Sequence, residues 1–136
     1  MSSPAGYSGT PLPAKLGIKG GSRVLLDGAP ADLDLAPLPA DVVIHRRPGR
    51  TSYDVVVLFA PDRARLAQRW DAHVARLTSA GRLWVAWPKR TSGLQRDLGD
   101  DAVREYGLAR GLVDVKVCAV DGTWSALAFV RRLTDR

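Results

Sequence analysis

Four apolar runs punctuate the chain, at residues 23–26, 42–45, 54–60 and 83–87, and each stops at a polar or proline-bearing corner. The third, Asp54-Val-Val-Val-Leu-Phe-Ala60, shows no alternation of polar and apolar positions. A strand covered on both faces has that pattern, so it is expected at the centre of a sheet, with 23–26 beside it and 83–87 beyond. Pro61-Asp62 then opens a helix with Asp62 as candidate N-cap, and Leu66, Trp70, Val74 and Leu77 recur at helical spacing as its buried stripe. Gly81 is expected to end that helix. A second helix is expected from about residue 100 to 110, stopped by Gly111. Strands at 113–120 and 124–131 meet around Asp121-Gly122, a type I′ hairpin signal. Val55, Val57, Leu58, Val85, Leu66, Trp70 and Val74 are the expected core, and Trp84 and Trp87, three positions apart, should point to opposite faces of their strand.

Two strands, then strands alternating with helices, then a closing antiparallel strand argue for an α/β domain of three layers, with a mainly parallel sheet and a C-terminal antiparallel hairpin. Residues 1–13 are rich in Ser, Gly and Pro and are expected to form an irregular tail, apart from a short helical turn at 12–16. Residues 14–136 are expected to form a single domain. Pro37 and Pro39 leave room for only a brief helix between 31 and 40.

Net charge is +6, and the basic side comprises 16 arginines and 4 lysines. The excess favours anionic partners, although a composition also rich in Ala, Gly, Val and Pro is what a GC-rich genome writes. Arg63, Arg65, Arg69 and Arg76 are accordingly expected on the solvated face of their helix. The clusters Arg46-Arg47 and Lys89-Arg90 are different, because each follows a strand. If the strands are parallel neighbours, these groups gather at the carboxyl edge of the sheet, where ligands of open α/β sheets sit. The expected site is an anion pocket of Arg46, Arg47, Lys89 and Arg90 around the turn Gly28-Ala29-Pro30.

Other chemistry finds little support. His73 is expected to be a packing residue, His45 sits among arginines, and no nucleophilic triad or metal-ligand set can be assembled from two distant histidines and one cysteine. Cys118, in an apolar run, is expected to be buried. Asp100-Asp101 suit the start of a helix rather than acid–base catalysis. No apolar run approaches the about 20 residues of a bilayer span, and the N-terminus lacks the pattern of a secretory signal, so a cytoplasmic protein without membrane contact is expected.

Lys15-Leu-Gly-Ile-Lys-Gly-Gly-Ser-Arg-Val-Leu-Leu-Asp-Gly-Ala-Pro30 resembles the start of a class I S-adenosylmethionine-dependent methyltransferase domain: short helix, glycine turn, strand, acidic residue, glycine loop. The terminal hairpin is similar to that Rossmann-like fold as well. Leu83-Trp-Val-Ala-Trp-Pro-Lys89, Gly111 to Trp124 and the Tyr7 to Gly17 segment more closely resemble the bacterial family called domain of unknown function 3052, over nearly the whole chain. The departures from the methyltransferase pattern concern the cofactor. The loop Asp27-Gly28-Ala29-Pro30 has one glycine and a proline where alternating glycines are usual, and the second strand ends in His45-Arg46-Arg47 where an acidic residue would meet the ribose. The resemblance therefore implies a degenerate, non-catalytic domain that binds an anionic or phosphate-bearing small molecule or a protein partner, with methyl-donor binding absent or weak. An active S-adenosylmethionine-dependent methyltransferase and a nucleic-acid-binding accessory protein are the alternatives.

Overall fold

A computed structural model describes residues 9–136. The expected tail at 1–13 lies largely outside that range. A short helix α1 (Leu12–Leu16) is closed by Gly17 in the left-handed region, at φ 80°. The chain then forms β1 (Arg23–Asp27), β2 (Val43–His45), β3 (Tyr53–Phe59), α2 (Arg63–Arg76), β4 (Leu77–Pro88), α3 (Asp100–Ala109), β5 (Leu112–Ala119) and β6 (Trp124–Arg131). Six strands make one sheet in the order β2-β1-β3-β4-β6-β5. β2, β1, β3 and β4 run parallel, and β6 is antiparallel to both of its neighbours. This is the expected methyltransferase-like Rossmann arrangement, with β3 central and the hairpin at one edge.

Each face of the sheet has its own core, because side chains alternate across a strand. On one face Leu25, Val56, Leu58, Leu83, Val85, Trp87, Leu127 and Phe129 pack under α2 and α3 through Leu66, Trp70 and Val103. On the other, Val24, Leu26, Val55, Val57, Phe59, Trp84 and Ala128 pack with Leu16, Ile18 and Leu35. Trp84 and Trp87 do lie on opposite faces, and the Trp84 indole N–H donates to the Leu16 carbonyl, 2.9 Å away, at the end of α1. The connection from β1 to β2 contains no helix, as the prolines indicate. Of the expected core residues all are buried except Val74, which is half-buried against the first core. Cys118 is buried and free, and burial pushes its thiol pKa up.

Three details differ from expectation. α2 ends at Arg76 rather than at Gly81, and residues 77–81 already belong to β4. The reason is a distant side chain: Arg131, at the end of β6, donates to the carbonyls of Val74 at 2.7 Å and Thr78 at 2.8 Å, closing the helix. Gly81 instead lies where β3 and β4 slip in register, packed so tightly that a Cβ would meet the Tyr53 carbonyl at 3.0 Å. The β5–β6 connection is not a type I′ turn, since neither Asp121 nor Gly122 has positive φ. The Asp121 carboxylate accepts the amides of Thr123 and Trp124, both at 2.8 Å, and organises a longer loop. Third, Arg65, Arg69 and Arg76 do not form a solvated face; their partners lie within the fold.

Candidate functional site

The carboxyl edge of the parallel strands carries two separate constellations. At the end of β1, Asp27 is almost wholly buried and faces α2. Its Oδ1 accepts from Arg65 Nη2 at 2.8 Å, and its Oδ2 accepts from Arg69 Nε at 2.9 Å and His73 Nε2 at 2.7 Å. The helix places these donors because residues 65, 69 and 73 recur every fourth position and share one stripe. Asp62 starts the helix in the right phase, its carboxylate accepting the Arg65 amide at 2.9 Å. Burial pushes the Asp27 pKa up, but the hydrogen bonds from His73 and Arg69 and the charges of Arg65 and Arg69 outweigh it and hold the pKa below the usual value.

His73 is fully buried, and that burial, against the pull of Asp27, lowers its pKa. Arg76 Nη1 donates to its Nδ1 at 3.2 Å, so the neutral ring carries its proton on Nε2 and gives it to Asp27. The expected packing residue is thus also the inner member of a polar chain running from Asp27 to Arg76. Gly28, next along, has φ 77°, and a Cβ there would meet the Phe59 carbonyl at 3.2 Å. The turn therefore needs glycine both for its conformation and for its close approach to β3. Ala29 and Pro30 continue the turn half-buried, with Ala29 packed against the second core.

Arg46 and Arg47 follow β2, where both are exposed. The strand end itself is fixed by Tyr53, whose hydroxyl accepts the Gly49 amide at 2.8 Å and lies 2.6 Å from His45 Nδ1.

The second constellation follows β4. Lys89 and Arg90 border a cleft of about 720 Å3 whose lining also includes Trp87, Gln95, Glu105 and Val117. Gln95 Nε2 donates to the Pro88 carbonyl at 3.0 Å and straps the intervening loop. Of the other lining cations, Arg63 donates to the Asp97 carbonyl and Arg96 pairs with Asp62. The side chains of Lys89 and Arg90 have no partner among the described residues, which leaves them as the cleft's available anion donors. Opposite stands the start of α3, where Asp100 and Asp101 pair with Arg104, and the Glu105 side chain has no partner among the described residues.

The structure thus brings Lys89 and Arg90 together in one cleft and holds Arg46 and Arg47 elsewhere. β2 and β4 are separated by β1 and β3, three inter-strand steps or about 14 Å. Gly28, Ala29 and Pro30 also do not line the cleft. The Asp27 cluster had a signal in the sequence, the four-residue spacing of Arg65, Arg69 and His73, but its acceptor stands 38 residues before Arg65. Among the described residues there is no grouping of His, Cys, Asp and Glu that could hold a metal ion, and no helix long and apolar enough to cross a membrane.

No protein-family model and no curated protein matches the sequence, so the likeness to domain of unknown function 3052 rests on the residues alone. Solved structures do match. The N-methyltransferase NodS of Bradyrhizobium japonicum, in complex with S-adenosyl-L-homocysteine, is similar over 87% of this chain and 82% of its own, with TM-score 0.58 and 17% identity. The magnesium protoporphyrin IX methyltransferase of Synechocystis, with S-adenosylmethionine bound, is similar over 89% and 74%, with TM-score 0.57 and 15% identity. The fibrillarin pre-rRNA processing protein of Methanococcus jannaschii covers 84% and 68%, with TM-score 0.56 and 14% identity. At these identities the likeness is one of fold.

Proposed function

We propose that the protein is a methyltransferase-type domain that binds S-adenosylmethionine or a related compound at the Gly28 edge and an anionic acceptor in the Lys89–Arg90 cleft. The observation that carries this reading is the strand order, with the reversed β6 inserted between β4 and β5, in a fold similar to structures that hold S-adenosylmethionine or its product. Those neighbours weigh against the expectation that no methyl donor binds.

The chain's own residues fit such a donor at one end. Arg65 Nη2, which donates to Asp27 Oδ1, lies 4.0 Å from where a Gly28 Cβ would stand, so a positive charge borders any carboxylate that approaches the turn. At the other end the fit fails, since β2 supplies His45, Arg46 and Arg47 and no carboxylate for ribose hydroxyls. A bound donor would supply an electrophilic methyl group. The protein's part is to position it and to hold the acceptor's anionic group with Lys89 and Arg90.

A second reading, an anion-binding domain without methyl transfer, is favoured by Asp27, both of whose oxygens are already taken. Calorimetric titration with S-adenosylmethionine and S-adenosylhomocysteine separates the two. Dissociation constants on the order of 10 μM, about −7 kcal/mol, that weaken in Gly28→Val support the first reading. Absence of heat with either compound, together with phosphate binding that Lys89→Ala/Arg90→Ala abolishes, overturns it in favour of the second.

A further inference from the structure

The opposite edge of the sheet has a cavity of its own. About 340 Å3 in volume, it lies between the turn before β1 and the irregular start of β4, and Gly17, Lys19, Gly20, Ser22, Asp54 and Arg82 line it. Arg82 is half-buried, and its side chain has no hydrogen-bond or ion-pair partner among the described residues. Its guanidinium is laid across Gly17, where a Cβ would come within 3.0 Å of Nη1. Lys19 is exposed at the rim, and its side chain is equally without a partner among the described residues. A guanidinium held partly out of water keeps donors whose satisfaction by an anion gains more than it would on an open surface.

The backbone contributes too. Gly17 and Gly21 stand at φ 80° and 79°, bending the chain around Lys19 and Gly20. The Lys19 amide is used by Ser22 Oγ and the Gly21 amide by the Ala40 carbonyl, whereas the Gly20 amide has no acceptor among the described residues. Asp54 is the acid of this cavity, and it is engaged elsewhere: Oδ2 accepts the Arg23 amide at 2.8 Å and Oδ1 the Thr78 hydroxyl at 3.5 Å. Two cations against one committed carboxylate leave a net positive lining.

We infer that this cavity is an anion site, separate from the carboxyl-edge cleft, in which Arg82, Lys19 and the Gly20 amide receive a phosphate or phosphate-monoester group. A tetrahedral dianion has acceptors enough for donors on all three lining residues, and the glycine lining lets it approach the backbone. The site stands whether or not a methyl donor binds at the other edge.

The test is amide and arginine side-chain nitrogen NMR during titration with inorganic phosphate and, separately, glucose 6-phosphate, with chloride at matched ionic strength as reference. Saturable shifts of Gly20, Gly21 and Arg82 Nε are expected. Lys19→Gln and Arg82→Gln should each weaken binding about tenfold, the loss expected for one charge-assisted hydrogen bond. Lys89→Gln/Arg90→Gln should leave these shifts intact. Tighter binding of the ester assigns the site to a phosphorylated metabolite, and equal binding to phosphate itself. Absence of saturation with both probes overturns the site, as does an unchanged response in Lys19→Gln, an exposed position whose substitution leaves the fold undisturbed.

Discussion

Asp27 and His73 illustrate how one buried carboxylate organises a strand end. Replacing Asp27 with Asn removes the charge that three basic side chains share. The cost of breaking a buried pair is about 3–5 kcal/mol, and because Arg65 and Arg69 are about a third exposed, a loss of about 2 kcal/mol is expected in chemical denaturation. The two titrations separate by pH. The Asp27 pKa is lowered in the folded state, so its contribution is full above the ordinary carboxylate value of about 3.9 and is lost as pH falls through the folded value. The His73 pKa is also lowered, but from about 6.5, so the unfolded chain takes up that proton first and stability falls as pH drops below neutrality. Denaturation midpoints measured at about pH 7.5 and pH 5 should therefore diverge in the native sequence and draw together in His73→Gln. Equal divergence in both would remove His73 as the cause.

Among the elements, α3 is held to the sheet by an absence. Gly107 faces the edge of the Phe129 ring, and any Cβ at that position would overlap it. Phe129 cannot swing away, being fully buried and in edge-to-face contact with Trp70, 5.4 Å between centroids. Gly107→Ala gains about 1 kcal/mol of helix propensity. Overpacking of a fixed aromatic ring costs about 1–3 kcal/mol, and an overlap as close as 2.2 Å selects the upper end, so net destabilisation of about 2 kcal/mol is expected in urea titrations. A stabilised variant would show that the helix can shift freely.

The same scale shows what the sequence could convey. β3 was recognisable from its unbroken apolar run, and the Asp62 cap from its place before a periodic stripe. The end of α2 was not, because Leu77 continues the Leu66–Trp70–Val74 spacing while the Arg131 that closes the helix lies 57 residues beyond Val74. The Asp27 cluster escaped for a similar reason: a stripe of Arg65, Arg69 and His73 has the same look on a solvated helix as on one that covers a buried carboxylate. Lys89 and Arg90 were visible because the strand before them was. Their separation from Arg46 and Arg47 follows from strand order, which no local pattern contains.

For the molecule as a whole, the two faces of the sheet are covered by different means. α2 and α3 roof one face with internally hydrogen-bonded helices. Much of the other is roofed by residues 28–42, which contribute Ala29, Leu33, Leu35 and Val42 to the second core. Within residues 31–42 the amides that donate are those of Leu33, to the Pro30 carbonyl, and Ala36, to the Asp34 carboxylate. This roof can lift without breaking a ladder or a helix, so its opening is decoupled from global unfolding. Deuterium uptake should record the difference, with most amides of residues 31–42 exchanging within seconds to minutes while those of Val55 and Val57 beneath exchange only when the entire chain unfolds. Uniform protection across both segments would contradict it. The domain is then a half-hinged shell, in which one side of a rigid sheet is sealed and part of the other is uncovered by a fluctuation confined to a single crossover.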